Sequence, residues 1–520
     1  MSKSNAERIG ANAALVVGLF VALAGCGGTD ASGPATGGAK SRGAGGNAGS
    51  QNEAGAGQDA SAAAGGDTGR APGTSADVGA PAEVASGSAS MIGVTSDDWA
   101  LYRNGDNLIG SKLGTDETAM LTDQPGNTLI HGRVVYTFAN VDWTANVGDL
   151  SVWTAAGGVQ EIGPTTYSES LIAASDAGDF LVYTANTNTK KDKTDLMIAS
   201  NDFALNDALI PGMGLGSDTT CSAVLGFVGE ALFVGYCAPG SRDATIERFD
   251  FDGSNWNPTT IADQVLPAWS ADSKGDGVFY QTSDYQGYYA SGGQQYRIDA
   301  SVSRGFLVPD GSAALYTVGD QLRRSTVPEA NPVPIVTTGF AEPVAFTSDY
   351  GMALYSTQVT YENGTERDLH LVATDGFNPE PIDLVSDPVA AMPRSSMTDD
   401  GKFVLYLTDV TDTGGTLHVV GMDGTEVLSL PGVLDAVAAR GSGIVFTDNA
   451  SDPSVYPNVG DLEYVDPAAS STPTLIEAAV MDPKNFQLDA ELDQVVYVRS
   501  GVGRESDDPE QTGVFSCDLP

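Results

Sequence analysis

From Met91 onward, short apolar runs close on an aromatic side chain and then give way to polar, turn-forming residues. The runs are Ala100-Leu101-Tyr102, Val134-Val135-Tyr136, Leu181-Val182-Tyr183, Ala231-Leu232-Phe233, Val278-Phe279-Tyr280, Ala314-Leu315-Tyr316, Ala353-Leu354-Tyr355, Val404-Leu405-Tyr406, Ile444-Val445-Phe446 and Val495-Val496-Tyr497. Successive aromatics stand 34, 47, 50, 47, 36, 39, 51, 40 and 51 residues apart. Runs this short, bounded by Asp, Asn and Gly and lacking a helical period, predict β-strands. A turn built on Asp and Gly precedes several of them, as at Ser175-Asp176-Ala177-Gly178, Pro309-Asp310-Gly311 and Asp399-Asp400-Gly401. A further strand follows in most units and often opens with Asp-Leu: Asp149-Leu150, Asp195-Leu196, Asp368-Leu369, Asp461-Leu462. Asp-Gly and Asn-Gly pairs supply the positive φ that tight hairpins need.

Strand groups repeating at roughly 40–45 residues predict the blades of a β-propeller, each a four-stranded antiparallel meander. One such sheet cannot bury both faces; two neighbours do it, with the aromatic filling the space between sheets. The expected fold class is therefore all-β, a propeller of 7–10 blades, with ten repeat units counted over residues 91–520. A pair of β-sandwiches fits the regular recurrence less well. Because 4–8 blades is the usual range, ten units leave open partial units or two rings. An N-terminal strand around Ile92–Thr95 is the expected closing strand.

The unit Thr398-Asp399-Asp400-Gly401-Lys402-Phe403-Val404-Leu405-Tyr406 resembles the WD40-like (PD40-type) repeat of the TolB propeller family, and Val308-Pro309-Asp310-Gly311 fits the same pattern. The resemblance spans nearly all of residues 91–520. It implies a fold and little else, because propellers of this kind include translocation partners, peptidase propellers and lyases.

The N-terminus reads as an address. Lys3 and Arg8 form a basic head, and an apolar run extends from Ala11 to Ala24. Roughly 15 residues are too few for a hydrocarbon core that needs about 20 in helix. The run ends in Leu23-Ala24-Gly25-Cys26, which resembles the lipobox of bacterial lipoproteins. The resemblance implies that residues 1–26 are a signal peptide, that Cys26 is lipidated, and that two or three acyl chains anchor the protein stably. Gly27 in place of Asp after the cysteine implies an outer-membrane leaning. Residues 27–90 hold 17 Gly, 17 Ala and 8 Ser with no aromatic. Such a segment buries too little to offset the entropy of ordering; as a disordered linker it spans roughly 45 Å.

Charge narrows the partners. Lys+Arg number 25 against 68 Asp+Glu, a net charge of −43, which excludes nucleic acid as a partner and describes an acidic, solvated body. Four Cys and 3 His leave little for disulfide-rich or metal chemistry. With Cys26 acylated, the midpoint of Cys221 and Cys237 is Gly229, so a hairpin turning there predicts a disulfide between them in an oxidising compartment. Cys517 is left over and reads as a packed thiol. His370 and His418 occupy matching places in successive units, Asp368-Leu369-His370-Leu371 and Thr416-Leu417-His418-Val419. A repeated interior or interblade position on the unit's second strand accounts for them better than a shared metal. Asp250-Phe251-Asp252-Gly253-Ser254-Asn255 offers alternate oxygens to calcium but lacks the later Glu of an EF-hand loop, so a plain Asp-Gly turn is favoured. Tyr285, Tyr288 and Tyr289 form a Tyr-rich connection, either a recognition loop or a hairpin folded over its own blade. With no Gly-x-Ser-x-Gly, His-Glu-x-x-His or phosphate-binding loop, no cofactor is expected. The reading is a lipid-anchored envelope propeller binding a protein or glycan partner. The alternative is a metal-dependent polysaccharide lyase or glycosidase with its site in the central channel.

Overall fold

The computed structural model describes residues 78–520 apart from 88, 124–125, 145–146, 167–170, 176, 192, 215–222, 362–364, 376–378, 386–390, 452–458, 482–484, 490 and 500–511. After β1 (Ala82–Ser86), the first blade comprises β2 (Ala89–Val94), β3 (Trp99–Asn104), β4 (Asn107–Lys112) and β5 (Thr118–Thr122). The second holds β6 (Asn127–His131), β7 (Val134–Asp142), β8 (Val147–Thr154) and β9 (Gly158–Thr166), and the third β10 (Ala173–Ala174), β11 (Phe180–Asn188), β12 (Lys193–Ser200) and β13 (Asn206–Gly214). The fourth and fifth share a strand: β14 (Val224–Val228), β15 (Ala231–Cys237), β16 (Ala244–Phe251) and β17 (Trp256–Ala271) continue into β18 (Gly277–Thr282), β19 (Gly287–Ser291) and β20 (Gln294–Asp299). The sixth is β21 (Val302–Leu307), β22 (Ala313–Val318), β23 (Gln321–Thr326) and β24 (Asn331–Val336); the seventh is β25 (Phe340–Phe346), β26 (Met352–Tyr361), β27 (Thr365–Ala373) and β28 (Ile382–Val385). In the eighth, Ala391 and Met397 bridge β29 (Phe403–Thr411), which pairs with β30 (Gly414–Gly421) and then β31 (Glu426–Val433). The ninth is β32 (Asp435–Ala438), β33 (Ile444–Asp448), β34 (Val459–Val465) and β35 (Thr474–Met481); the tenth is β36 (Gln487–Leu488), β37 (Gln494–Arg499) and β38 (Gly513–Asp518). Among the described residues there are thus ten blades, all antiparallel.

Every aromatic that closes a repeated apolar run lies on the second strand of its blade, and none is more than 5% exposed. The apolar clusters are shared between consecutive blades. Val135 and Trp153 of the second pack with Leu101 and Leu108 of the first, Tyr136 and Phe138 with Leu181 and Tyr183 of the third, and Phe279 with Tyr316 across the fifth and sixth. Burying one such side chain contributes about 2–3 kcal/mol. The series closes where Val496, Val498 and Val514 of the tenth blade pack against Met91 and Tyr102 of the first. One ring of ten blades follows, within the expected 7–10, and the alternative of two rings is set aside.

The Ser/Thr-x-Asp turns between first and second strands have a common hydrogen-bond plan. Thr398 Oγ1 donates to Asp400 Oδ1 (2.9 Å) while accepting from the Phe403 N–H (3.1 Å); Thr347 with Asp349 and Met352, and Thr95 with Asp97 and Trp99, repeat it. The turn saturates itself and aligns the next strand. These turns also touch the following blade: Asp400 accepts from Ser442 Oγ (2.6 Å), Asp399 accepts from the Gly441 N–H (3.0 Å), and the Ser96 N–H donates to Gly132 O (2.9 Å). Three of the four Asp-Leu pairs are explained by a second device. Asn140 and Asn186, at bulges, and Asn449, just past the end of β33, adopt positive φ and donate to Asp149 (2.9 Å), Asp195 (2.8 Å) and Asp461 (3.0 Å) on the neighbouring strand. Where β17 crosses from one blade to the next, a Cβ on Gly235 would lie 2.0 Å from Pro267 O, so only glycine fits there.

Ring closure differs from expectation. Residues 92–94 belong to β2, the first strand of the first blade, and the closing strand is β1, which pairs with β38 (Glu83↔Phe515, Ala85↔Val514) as the last strand of the tenth blade. The propeller therefore begins before Met91, inside the span assigned to the linker. The Ala-rich β1 carries no aromatic signature, and pairing with an edge makes it a strand. The Gly79 N–H donates to Asp518 O (3.0 Å), and Cys517 Sγ lies 3.1 Å from Gly79 O. Replacing Glu83 and Ala85 together by Pro will remove ladder donors and bare the β38 edge. Urea unfolding should show a loss of about 2 kcal/mol, and size-exclusion chromatography a concentration-dependent dimer; an unchanged midpoint would refute closure by β1.

Candidate functional site

His370 and His418 do occupy equivalent positions, on the third strands of blades seven and eight, and each is held within its own blade. The His370 ring stacks on Tyr355 (5.1 Å), with Nε2 2.8 Å from Thr357 Oγ1 and Nδ1 2.7 Å from Asp383 Oδ1. The His418 ring stacks on Tyr406 (4.9 Å), with Nε2 2.9 Å from Thr408 Oγ1 and Nδ1 2.6 Å from Glu426 Oε2. Each set is a hydroxyl–imidazole–carboxylate chain running across three adjacent strands, with both ring nitrogens occupied. It ties three strands together, and among the described residues no group of three His, Cys, Asp or Glu could hold a metal. His131 is half-buried, edge-on to Tyr136 (5.8 Å), and desolvation lowers its pKa to about 4, leaving it neutral.

The Tyr-rich connection is divided by the structure. Tyr285 is 56% exposed at a positive-φ turn, Tyr288 stacks on Tyr280 (5.7 Å), and Tyr289 is buried against Tyr296. Alternation along β19 sends Tyr288 and Tyr289 to opposite faces of one sheet, so the three do not form a common surface. In the 250–255 segment, Asp252 Oδ1 accepts from the Ser254 and Asn255 N–H groups, Asp252 Oδ2 accepts from Asn257, and Asp250 pairs with Arg248 at 2.8 Å. These hydrogen bonds, Asn257's first, hold the Asp252 carboxyl below its usual range; the segment is the Asp-Gly hairpin turn favoured from the sequence.

Cys26 and Cys221 lie outside the described residues, and with them the lipid anchor and the expected disulfide. The hairpin pairs Val228 with Ala231 and turns on Gly229-Glu230, half a residue from the centre that the disulfide expectation assumed. Cys517 is a buried thiol, pushed up to about 11 by burial and then by Asp518 and Glu477.

Two features carry no repeated signal in the sequence. Arg394, beside the first strand of blade eight, donates through Nε to Asp435 Oδ2 (2.5 Å) and through Nη1 to Phe486 O (2.6 Å), with its guanidinium 4.2 Å above the Phe486 ring; it thereby joins three consecutive blades. The second is a groove between the third and fourth blades, made of two adjoining cavities of about 380 and 150 Å³ that share Leu209, Phe249 and Pro258. Both facing ladders are bulged, β13 against β12 and β17 against β16, as the ladder between third and fourth strands is in every blade. Trp256 stands in its wall, fixed edge-on by Phe180 (4.9 Å) and packed by Phe251 (5.3 Å), and among the described residues its buried Nε1 has no hydrogen-bond partner. Tyr236 donates to Glu247 Oε2 (3.2 Å); burial, then Glu247 and Asp263, push its hydroxyl up to about 12. Asp207 lines the smaller cavity and Glu247 the larger, and among the described residues neither forms an ion pair. The one legible hint was a Trp directly after the Asp252-Gly253 turn.

No family model matches this chain, and no curated protein matches it. Similar solved structures include a eukaryotic initiation factor (10% identity, 66% of this chain and 88% of that one, TM-score 0.45). TolB from Acinetobacter baumannii is another (13% identity, 54% and 75%, TM-score 0.28). A third is the β-propeller domain of the Trilobed protease from Pyrococcus furiosus, described as having an open velcro topology (12% identity, 53% and 91%, TM-score 0.31). This chain is a β-propeller. The propeller is closed by its own N-terminal strand.

The seam where the ring closes also holds a buried carboxyl. Asp489 is 7% exposed and accepts from the Asp493 and Gln494 N–H groups. Burial, with Asp493 and Asp98 nearby, pushes its pKa up to about 6. A raised acid binds its proton more tightly folded than unfolded, so its contribution is intact below about pH 4 and is lost as pH rises through 6. Asp489→Asn should therefore be more stable than the parent at neutral pH, with the gap in thermal midpoint closing below pH 4. A gap independent of pH would refute this. His370→Ala and His418→Ala should each lower unfolding free energy by about 1–2 kcal/mol, read by urea titration; an unchanged free energy would show that the chains are not structural.

Proposed function

We propose that this propeller is a lipid-anchored module of the bacterial cell envelope, favoured at the outer membrane, that binds a protein or glycan partner and performs no chemistry. The observation that carries the reading is the groove between the third and fourth blades. It has a fixed aromatic wall and two carboxylates outside any described ion pair, whereas both repeated histidines are tied up in cross-strand chains. A rigid apolar surface with a few polar groups is what recognition uses, and imidazoles saturated on both sides support strand packing. The lipobox resemblance at Cys26 and the Gly/Ala/Ser-rich segment after it support a tethered body, and a net charge of −43 keeps that body off an anionic lipid surface. An oxidised Cys221–Cys237 pair belongs to the same reading.

Three measurements test it. The mature protein should bind in a glycan array or a protein crosslinking experiment and should show no turnover in a polysaccharide hydrolysis and lyase screen; turnover would transfer the protein to the enzyme class. Cys26→Ser should abolish fatty-acid labelling and move the protein from the membrane to the soluble fraction, and unchanged fractionation would reject the anchor. Maleimide labelling of the denatured, unreduced mature protein should count the Cys517 thiol alone beyond any at the N-terminus, and three thiols would reject the disulfide.

A further inference from the structure

The turn between β36 and β37 in the tenth blade departs from the plan of its equivalents at one residue. In the first, seventh and eighth blades a threonine, Thr95, Thr347 or Thr398, accepts from the first N–H of the following strand. It donates its own proton to a carboxylate two residues on. Asp489 holds this place in the tenth blade. Its Oδ1 accepts from the N–H of Gln494, the first residue of β37 (3.0 Å), and its carbonyl accepts from the N–H of Leu492, at positive φ (3.3 Å), as Thr398 O does from Gly401 (2.9 Å). The residue two positions on is again acidic, Glu491. A carboxylate has no proton to donate, so only the carboxylic acid form of Asp489 reproduces the threonine's donor.

The surroundings act in the same direction. Burial first, and then the like charges of Asp493 in its own turn and Asp98 in the matching turn of the first blade, raise its pKa to about 6. Arg440 of the ninth blade pairs with Asp493 (3.3 Å) and Lys112 of the first with Asp98 (3.8 Å); among the described residues no cation pairs with Asp489 itself. A line of hydrogen bonds joins this carboxyl to the closing strand. Gln494, whose N–H it holds, donates through Nε2 to Asp518 Oδ1 (2.7 Å), and Asp518 O accepts from the Gly79 N–H (3.0 Å) just before β1. The Leu519 N–H donates to Asp493 O (2.7 Å), and Cys517, 1% exposed, lies against Gly79 O (3.1 Å) beneath that entry. β1 itself is half-exposed and, among the described residues, pairs with β38 alone. We propose that Asp489 is a proton-operated clasp on ring closure: with its proton bound it holds β1 on the β38 edge, and loss of the proton loosens β1 there. Ionised, it sets its charge against Asp493 and Asp98, and parting the seam relieves the repulsion. The hold is complete below about pH 4 and weakens as pH rises through 6. The change is local, at the strand that joins the ring to the N-terminal segment, and it bares an edge that another strand can pair with.

Cys517 reports the clasp. The mature full-length protein is labelled with a pyridyl disulfide, which reacts with thiols in acid as well as at neutral pH, and the Cys517 peptide is followed by mass spectrometry. Comparing the parent with Asp489→Thr, which installs the residue of the equivalent turns, cancels the thiol's own pH dependence. If opening relieves half of the raised pKa, the parent should label about tenfold faster than the variant near pH 7.5 and within about twofold of it at pH 4. Asp489→Asn, which keeps the shape and removes the charge, should follow Asp489→Thr, so the test survives if one variant fails to fold. Hydrogen exchange should place the difference between parent and variants in β1 and β38 and leave β11 unchanged. Equal labelling of parent and variants near pH 7.5 would overturn the proposal, and so would a difference that persists undiminished at pH 4. A pH-dependent exchange spread evenly over all blades would also overturn it, leaving Asp489 as a determinant of global stability alone.

Discussion

Everything in this molecule depends on the packing of one sheet's apolar face against the next. A four-stranded blade is apolar on both faces through its second strand, and no blade can cover both faces by itself. Each aromatic from Tyr102 to Tyr497 is buried only because another blade lies over it. That requirement propagates from blade to blade and ends only when the tenth meets the first. Closure is therefore a condition of burial at every seam, and the tenth blade that completes it is built with a short strand, β36, and a borrowed one, β1.

Polar groups reinforce the seams unevenly. At the junction of blades eight and nine, burial pushes the Asp400 carboxyl up, but hydrogen bonds from Lys402, Ser442 and Thr398 outweigh it and hold it at about 2. That junction is thus firm at neutral pH and weakens only in strong acid. At the closing junction the balance is reversed. Asp489 is buried beside like charges, and its ionised form is the unfavourable one. The same residue type, in the same kind of turn, strengthens one seam and strains another according to its neighbours. With so many carboxylates, the protein's electrostatics are set by the few cations and hydroxyls placed among them, such as Arg394 across three blades.

The candidate sites divide by how they are built. The histidine chains repeat because the blades repeat; a matching position in successive units is the mark of a structural role in a quasi-symmetric ring. The groove at blades three and four owes nothing particular to strand bulges, which recur between the third and fourth strands of every blade; what is particular to it is Trp256, which follows the Asp252-Gly253 hairpin turn. Recognition in a ring of similar parts belongs where the parts differ.

The blade period, the aromatic second strands, the Ser/Thr-x-Asp turns and the equivalence of His370 with His418 were all readable along the chain. Each rests on interactions within one unit of about forty residues, so each leaves a local and repeated trace. The Asp-Leu pairs were visible as a pattern, although the Asn clamp behind three of them was not. Tertiary structure alone decided the number of blades in the ring, the strand that closes it, and the groove. β1 is a run of Ala, Glu, Val and Ser with weak strand character, made a strand by an open edge more than 400 residues away in sequence. Asp207, Glu247 and Trp256 come from two blades, and their juxtaposition depends on how two neighbouring sheets pack, a geometry that no spacing of residue types encodes.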